Sequence, residues 1–371
     1  MKITEIELRE IKMKRKNPFL SSRGLTQDRR IILVFVRDSG GLEGWGESSA
    51  PEEPRYCEEW TESAWSILES FLIPHVLREP DIGPDRTWGL LSTYRGNRMA
   101  KSAIEMAVWD LEAKNLGLPL WKILGGKPDP IPCGVSLGIA SSVVELLNRI
   151  DKELESGYQR IKLKIQPLWD VEIVKQVRKV YPEIALMVDA NGAYSIEDIS
   201  LLRKFDEFNL MMIEQPFAPD DLLAYRLAAR ALSTKLCLDE TIVSHQSVKA
   251  AAEFELCSLV NLKLGRLGGH TESRLAKMAC QLGGIETWCG GQHETGLGRA
   301  HNIALASHLT RTLPAELSAS LRYWEKDIII PEITIEPNGS LLLRNEPGIG
   351  YELDRAFIDS VTVRKKCFVE S

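Results

Sequence analysis

The sequence lacks the features that would mark it for a special environment. Its seven cysteines, at 57, 133, 237, 257, 280, 289 and 367, are odd in number and scattered, and none forms a CxxC pair. That argues against a disulfide framework or a zinc site and fits reduced thiols in a cytoplasmic protein. No apolar run approaches the roughly 20 residues of a membrane span. The opening MKITEIELREIKMKRKNPF alternates like a strand and has no apolar signal core. No basic run stands out and the net charge is −6, so no general affinity for polyanions and no nucleic-acid footprint is expected. What remains is ordinary: 44% hydrophobic and 26% charged residues in a chain of 371, long enough for a large barrel or two domains.

The first third reads differently from the middle. Residues 2–15 and 29–38 have strand patterning, with glycines of a turn and a further strand in SGGLEGWGE. Helical periodicity follows near 60–78 and 99–116. Strands followed by helices predict a compact α+β unit over 1–126, closed by the boundary GGKPDPIP. From there to 321 short β-like runs alternate with amphipathic stretches. Seven are clear, CGVSLGI, RIKLKI, ALMVDA, LMMIEQ, KLCLDE, LVNLKLG and IETWCGG, and AELSA at 315–319 could be an eighth. Repeated β–α units favour a modified (β/α)8, TIM-type barrel. The tail over 322–371 is turn- and strand-rich and is expected to return to the first unit.

Charged residues end five successive β-runs: Lys164, Asp189, Glu214, Asp239 and Lys263, spaced 25, 25, 25 and 24 residues apart. That is the scale of one β–α unit, so each occupies an equivalent place on its strand. A single Asp after a strand is ordinarily a turn former or a helix cap. Five charges in phase are hard to explain as independent caps, and in such barrels the C-terminal strand ends carry the chemistry. Asp189, Glu214 and Asp239 offer oxygen only, which suits a hard divalent cation: Mg²⁺ first, with Mn²⁺ or another as alternatives. The flanking Lys164 and Lys263 suit abstraction of a proton beside a metal-bound carboxylate, giving an enediolate. A lysine can act as base only if its pKa falls from about 10.4 towards 7–8. Lys162, on the same strand face as Lys164, fits a supporting like charge or a holder of the substrate carboxylate. Ile161, Leu163 and Ile165 are then expected to pack outward.

These residues resemble the muconate-lactonizing-enzyme subgroup of the enolase superfamily, whose known pattern includes a lysine base with Mg²⁺. GVSLGI, VDANGAY, EQPF, LDETI, NLKLGRLGG and ETGLGRAHNIALA are similar to the branch holding o-succinylbenzoate synthases and N-acylamino acid (N-succinylamino acid) racemases. The resemblance implies that residues 1–126 and the tail form a capping domain whose loops near 18–24 and 50–57, carrying Arg23 and Tyr56, close over the barrel mouth. It implies Lys164 and Lys263 as acid/base catalysts, and Ser136, Asn191 and Gly291 facing the substrate. Arg266 and Glu240 are implied to stand behind the metal and lysine residues. The implied reaction is racemisation of N-acyl amino acids. The alternative is syn dehydration to o-succinylbenzoate in menaquinone biosynthesis, alone or as a second activity.

The sequence departs from that pattern at Gln292 and His293, where apolar residues are expected, and at Arg23, where an aromatic is usual. These positions fall in the expected substrate shell, and Arg23 suggests an acidic acyl group. His293 is open between a catalytic, a substrate-shell and a plain loop role, and His301 reads as structural. A dipeptide epimerase would show Asp-x-Asp after the eighth strand, which AELSASLRY lacks. A phosphate site at LGRLGGH, another cycloisomerase or epimerase of the subgroup, and a non-catalytic metal-binding barrel complete the alternatives. The expected partner is a small carboxylate, with neither membrane nor nucleic acid, and a homo-oligomer is expected.

Overall fold

The computed structural model describes residues 1–309 and 312–370. Thr310 and Arg311, within the predicted barrel, and Ser371, at the end of the predicted tail, lie outside the described residues. An antiparallel sheet forms from β1 (Ile3–Ser21), β2 (Gly24–Asp38) and β3 (Glu43–Ser48). Both long strands exceed their predicted ranges, because the hairpin pairing continues out to Ser21 and Gly24. The helix Arg98–Asn115 packs on this sheet. Its approach depends on the glycines of GWG: a Cβ on Gly44 or Gly46 would meet the carbonyls of Ala107 or Ala103 at 2.0 Å. The predicted helix at 60–78 is found over 61–77, with a π-type turn at Leu68–Leu72.

The second sheet is parallel and seven-stranded. In chain order it comprises β4 (Gly134–Leu137), β5 (Arg160–Lys164), β6 (Leu186–Asp189), β7 (Ile213–Glu214), β8 (Leu236–Leu238), β9 (Leu259–Leu262) and β10 (Glu286–Cys289), each beside the next. Helices follow these strands, several opened by a side chain that caps their first turn, as Ser142, Asp221 and Ser244 do. The eighth unit is reduced to a bridge. Ala315 exchanges hydrogen bonds with Pro132 and Gly134 at 2.8 Å each, and Glu316 N–H donates to Cys289 at 2.9 Å. Pro314 has no N–H to extend a ladder there. The segment nonetheless joins β10 to β4 and closes the ring.

Alternation along the strands divides the core. Ile161, Leu163 and Ile165 belong to the large apolar cluster between strands and helices. Met187, Met212, Cys237, Leu259 and Trp288 form a separate cluster inside the ring. Asp189, Glu214 and Asp239 each follow an inward residue by two, so they share its face one level higher. The tail divides its contacts: Ser340–Leu341 pairs with Ile131–Pro132 at the barrel entry, while β11 (Thr362–Val369) runs antiparallel to β1. Among the described residues no helix is long and apolar enough to cross a membrane.

Candidate active site

The alternation of RIKLK turns Lys162 and Lys164 inward. Lys162 is 1% exposed and Lys164 8%, so the lysine face of this strand is not a solvated one. In register, Lys164 lies beside Asp189 and Asp189 beside Glu214. The three carboxylates are fully buried, and an oxygen from each lies within 4.8 Å of those of the other two. Lys164 reaches Asp189 at 2.5 Å and the Asn191 side-chain oxygen at 2.6 Å. On the other flank Lys263 reaches Asp239 at 2.8 Å. Lys162 stands between Asp189, Glu214 and Glu316, at 3.2, 3.0 and 2.6 Å.

Burial raises the cost of every charge here, and the pairings decide the outcome. For Asp189, burial is outweighed by Lys164 and Lys162, which hold the carboxyl at about 2. Asp239 is held lower still by Lys263 and Arg266. Burial and the charge of Asp189 push Glu214 up to about 7, against the pull of Lys162. Lys263 and Lys162 are raised despite burial, by Asp239 and Tyr56 and by Glu214 and Glu316 respectively. With the carboxylates as neighbours, Lys263 is therefore held away from the range a base needs. Three buried oxygen donors with no histidine or cysteine among them fit a hard divalent cation. Such a charge among the carboxylates would remove their hold on the lysines.

A cavity of about 440 Å³ opens over this rim, lined by Lys162, Lys164, Asn191, Lys263, Gly291, Gln292 and His293. Residues 19–29 and 49–56 of the cap supply the facing wall, including Arg23 and Tyr56. Tyr56 donates to Asp239 at 3.0 Å, and Arg266 pairs with Asp239 while donating to the Tyr56 hydroxyl at 2.7 Å. Glu240 accepts from Asn191 at 2.9 Å and from Arg23 at 2.7 Å. Arg23 also donates to the carbonyls of Asn191 and Arg55. Its charge is thus met by Glu240, which weakens the expectation that it reads an acidic acyl group. Ser136 is not brought to the cavity wall. It pairs in register with Lys162, a level below Lys164, and is buried with its hydroxyl unpartnered.

Three contributors escaped the sequence reading. Glu316 lines the cavity and is held at about 2, since Lys162 and Arg160 outweigh its burial. It stands second in the eighth β-run, AELSA, rather than at its end, so the strand-end spacing does not reach it. Asn261, two residues before Lys263 and on the same face, donates to Glu214 at 2.5 Å. Gln215 accepts from the Asp239 N–H at 2.9 Å and donates to Tyr225 at 2.6 Å, so it orients the strand end that carries Asp239.

A closed β/α ring, a cap across its mouth and a carboxylate trio suited to a divalent cation define a capped barrel enzyme. Comparison with known proteins sharpens that class. The model for the mandelate racemase/muconate lactonizing enzyme N-terminal domain matches residues 3–125, and the enolase C-terminal domain-like model matches 145–357. The o-succinylbenzoate synthase of Geobacillus stearothermophilus is 44% identical over 99% of this chain and 97% of its own. The N-succinylamino acid racemase of Thermus thermophilus is 42% identical over 98% of each chain. The crystal structure of an enolase superfamily member from Listeria innocua superposes with a TM-score of 0.96, at 36% identity and over 100% of both chains. The chain belongs to the enolase superfamily, among the mandelate racemase/muconate lactonizing enzymes.

Proposed function

We propose that the protein removes the α-proton of a carboxylate substrate, and that its main reaction is racemisation of N-acyl amino acids, N-succinyl ones first. The observation that carries this reading is the pair Lys164 and Lys263, paired with Asp189 and Asp239 at the two ends of one carboxylate trio in one cavity. A divalent cation held by Asp189, Glu214 and Asp239, Mg²⁺ first, would draw charge onto the substrate carboxylate and so acidify the neighbouring C–H. Lys164 takes the proton from one face of Cα while Lys263 gives one to the other, and the roles exchange for the opposite enantiomer. Lys162 keeps its proton and balances the trio. Asn191, Gly291, Gln292, His293 and Tyr56 face the substrate, whereas Arg266, Glu240 and Arg23 hold the others in place. The division at 1–126, 127–321 and 322–371 serves this arrangement by giving the mouth a separate lid.

The experiment is α-proton exchange in D₂O with N-succinyl amino acids and Mg²⁺. Both enantiomers should gain deuterium, and Lys164→Ala and Lys263→Ala should each abolish exchange of a different enantiomer. Racemisation by both variants would refute the two-base assignment. A second reading, o-succinylbenzoate synthesis, is favoured by the 44% identity to a synthase. It needs one lysine as base and then acid, with the other as a cation. Turnover of the cyclohexadiene precursor of o-succinylbenzoate tests it in the same preparation.

A further inference from the structure

Lys162 has more carboxylates around it than a single ammonium needs. It lies 3.2 Å from Asp189 and 3.0 Å from Glu214, and its nearest partner is Glu316, at 2.6 Å. Asp189 and Glu214 belong to the oxygen trio, and Lys162 shares Oδ2 of Asp189 with Lys164. A divalent cation held by that trio competes with the ammonium for the same oxygens. Glu316 stands outside the trio, and a second cation lies close to it. The bridge between Cys133 and Ala315 sets Gly134 beside Glu316, and on its other side Gly134 is in register with Arg160. A Cβ on Gly134 would lie 2.6 Å from Arg160 Nε, so the glycine leaves the guanidinium room inside the ring. Arg160 is 1% exposed, donates to the Pro314 carbonyl at 3.3 Å and keeps Nη2 without a hydrogen-bond partner. Burial lowers its pKa, opposed by the charges of Glu316 and Glu214. Arg160 and Lys162 both lie over the Trp288 ring, 4.9 and 5.1 Å from its centre. The floor of the ring thus offers Lys162 an aromatic face and a carboxylate that a second cation keeps charged.

We propose that Glu316 is a positioning residue for the metal site: it draws the Lys162 ammonium off Glu214 and Asp189 and so frees their oxygens for a divalent cation. Arg160 holds Glu316 charged on the floor of the ring, and the Trp288 ring carries the displaced ammonium. Without Glu316 the Lys162 ammonium stays on the trio and competes with the cation. The proposal rests on the reading of the trio as a metal site and is independent of which substrate loses its α-proton.

Binding of Mn²⁺ alone to the full chain, freed of metal by chelation and followed by the paramagnetic resonance signal of free Mn²⁺, tests this without turnover. Glu316→Gln should bind the ion roughly 10- to 100-fold more weakly than wild type, within the range of coupling among members of one ion-pair network. Glu316→Asp keeps the charge but shortens its reach, and should lose at least about threefold. Lys162→Met separates position from charge. It should tighten Mn²⁺ binding, and in its background the loss on Glu316→Gln should be at least about fivefold smaller than in wild type. A general structural role for Glu316, or a through-space attraction between its charge and the metal, gives the same loss in both backgrounds. Equal losses therefore overturn the proposal, as does an unchanged affinity in Glu316→Gln. If Glu316→Gln does not fold, Glu316→Asp with and without Lys162→Met decides on the same terms. Failure of the metal reading looks different: wild type that takes up no Mn²⁺, or takes it up equally well after Asp239→Asn, overturns both.

Discussion

Buried carboxylates occupy two places in this molecule and are satisfied in opposite ways. At the barrel mouth Asp189, Glu214 and Asp239 face side-chain cations. At the seam between cap and barrel, Glu105 accepts from the backbone N–H groups of His270 and Thr271 at 2.7 and 2.8 Å, opening the helix His270–Leu282. Glu47 likewise accepts from Thr295 and Gly298 at 3.1 and 2.9 Å, at the start of Gly296–Ser307. Ionisation follows the net charge that each carboxyl meets: Asp239 is held low by Lys263 and Arg266, while burial and Asp189 push Glu214 up to about 7 despite Lys162. Asp189 is held at about 2 by its lysines, whereas burial outweighs the hydrogen bonds of Glu47 and Glu105 and pushes both up to about 7. Backbone donors are fixed, so a carboxylate that meets them becomes a structural pin. Side-chain ammonium groups can turn away, so a carboxylate that meets them can exchange them for a metal and a substrate.

Glu214→Gln tests that contrast with the largest expected effect. It removes one oxygen donor while preserving shape, and should lower kcat/KM at least about 1000-fold, as several kcal/mol of charge stabilisation go with it. Metal-free stability should fall by less than it does on Glu105→Gln, because relief of the repulsion from Asp189 and Asp239 offsets the Asn261 or Lys162 donor that the amide leaves unpaired. Glu105→Gln should do the reverse. An amide N–H₂ facing the N–H groups of His270 or Thr271 leaves a buried donor unpaired, at a cost of roughly 1–3 kcal/mol in a urea titration. Turnover well below the melting temperature should stay within about threefold of wild type. If Glu105→Gln abolished turnover without loss of stability, the division into pin and exchangeable site would fail.

The two regions also differ in how far the sequence discloses them. The mouth was legible because a β–α unit repeats on a fixed scale, so residues that meet in space stand 24 or 25 apart in Lys164, Asp189, Glu214, Asp239 and Lys263. The alternation in RIKLK then gave the facing of each lysine. Glu316 was missed because its β-run survives only as a bridge after Pro314, too weak a pattern to fix the phase. The seam left no local trace. Glu105 and its partner His270 are 165 residues apart, and Glu47 and Thr295 are 248 apart, with nothing periodic to link them. Arg23 shows the same limit: its charge was visible, but its pairing with Glu240, 217 residues away, was not.

An effect of similar size, but confined to acid, lies in the seam's histidines. His301 Nε2 stands 2.7 Å from the Trp45 carbonyl, an acceptor only, so that nitrogen must carry the proton. Its Nδ1 then accepts from His270 Nε2 at 3.0 Å, and His270 Nδ1 is left bare, buried and unpartnered. Both rings are thus neutral, and burial holds His301 at about 4. Because that value is below the unfolded pKa of about 6.5, the stability His301 contributes is full above pH 6.5 and is lost as pH falls towards 4. At pH 5 the loss is roughly 2 kcal/mol. Glu47 and Glu105 run the other way, since their raised values favour the folded state below the unfolded carboxyl pKa and lose that contribution as pH rises through about 7. Wild-type stability alone would therefore hide the histidine. The difference between wild type and His301→Gln isolates it: in urea titrations the gap at pH 7.5 should narrow by about 2 kcal/mol at pH 5. Parallel pH curves would mean that His301 does not titrate with folding and that the carboxylates alone set the pH response of the seam.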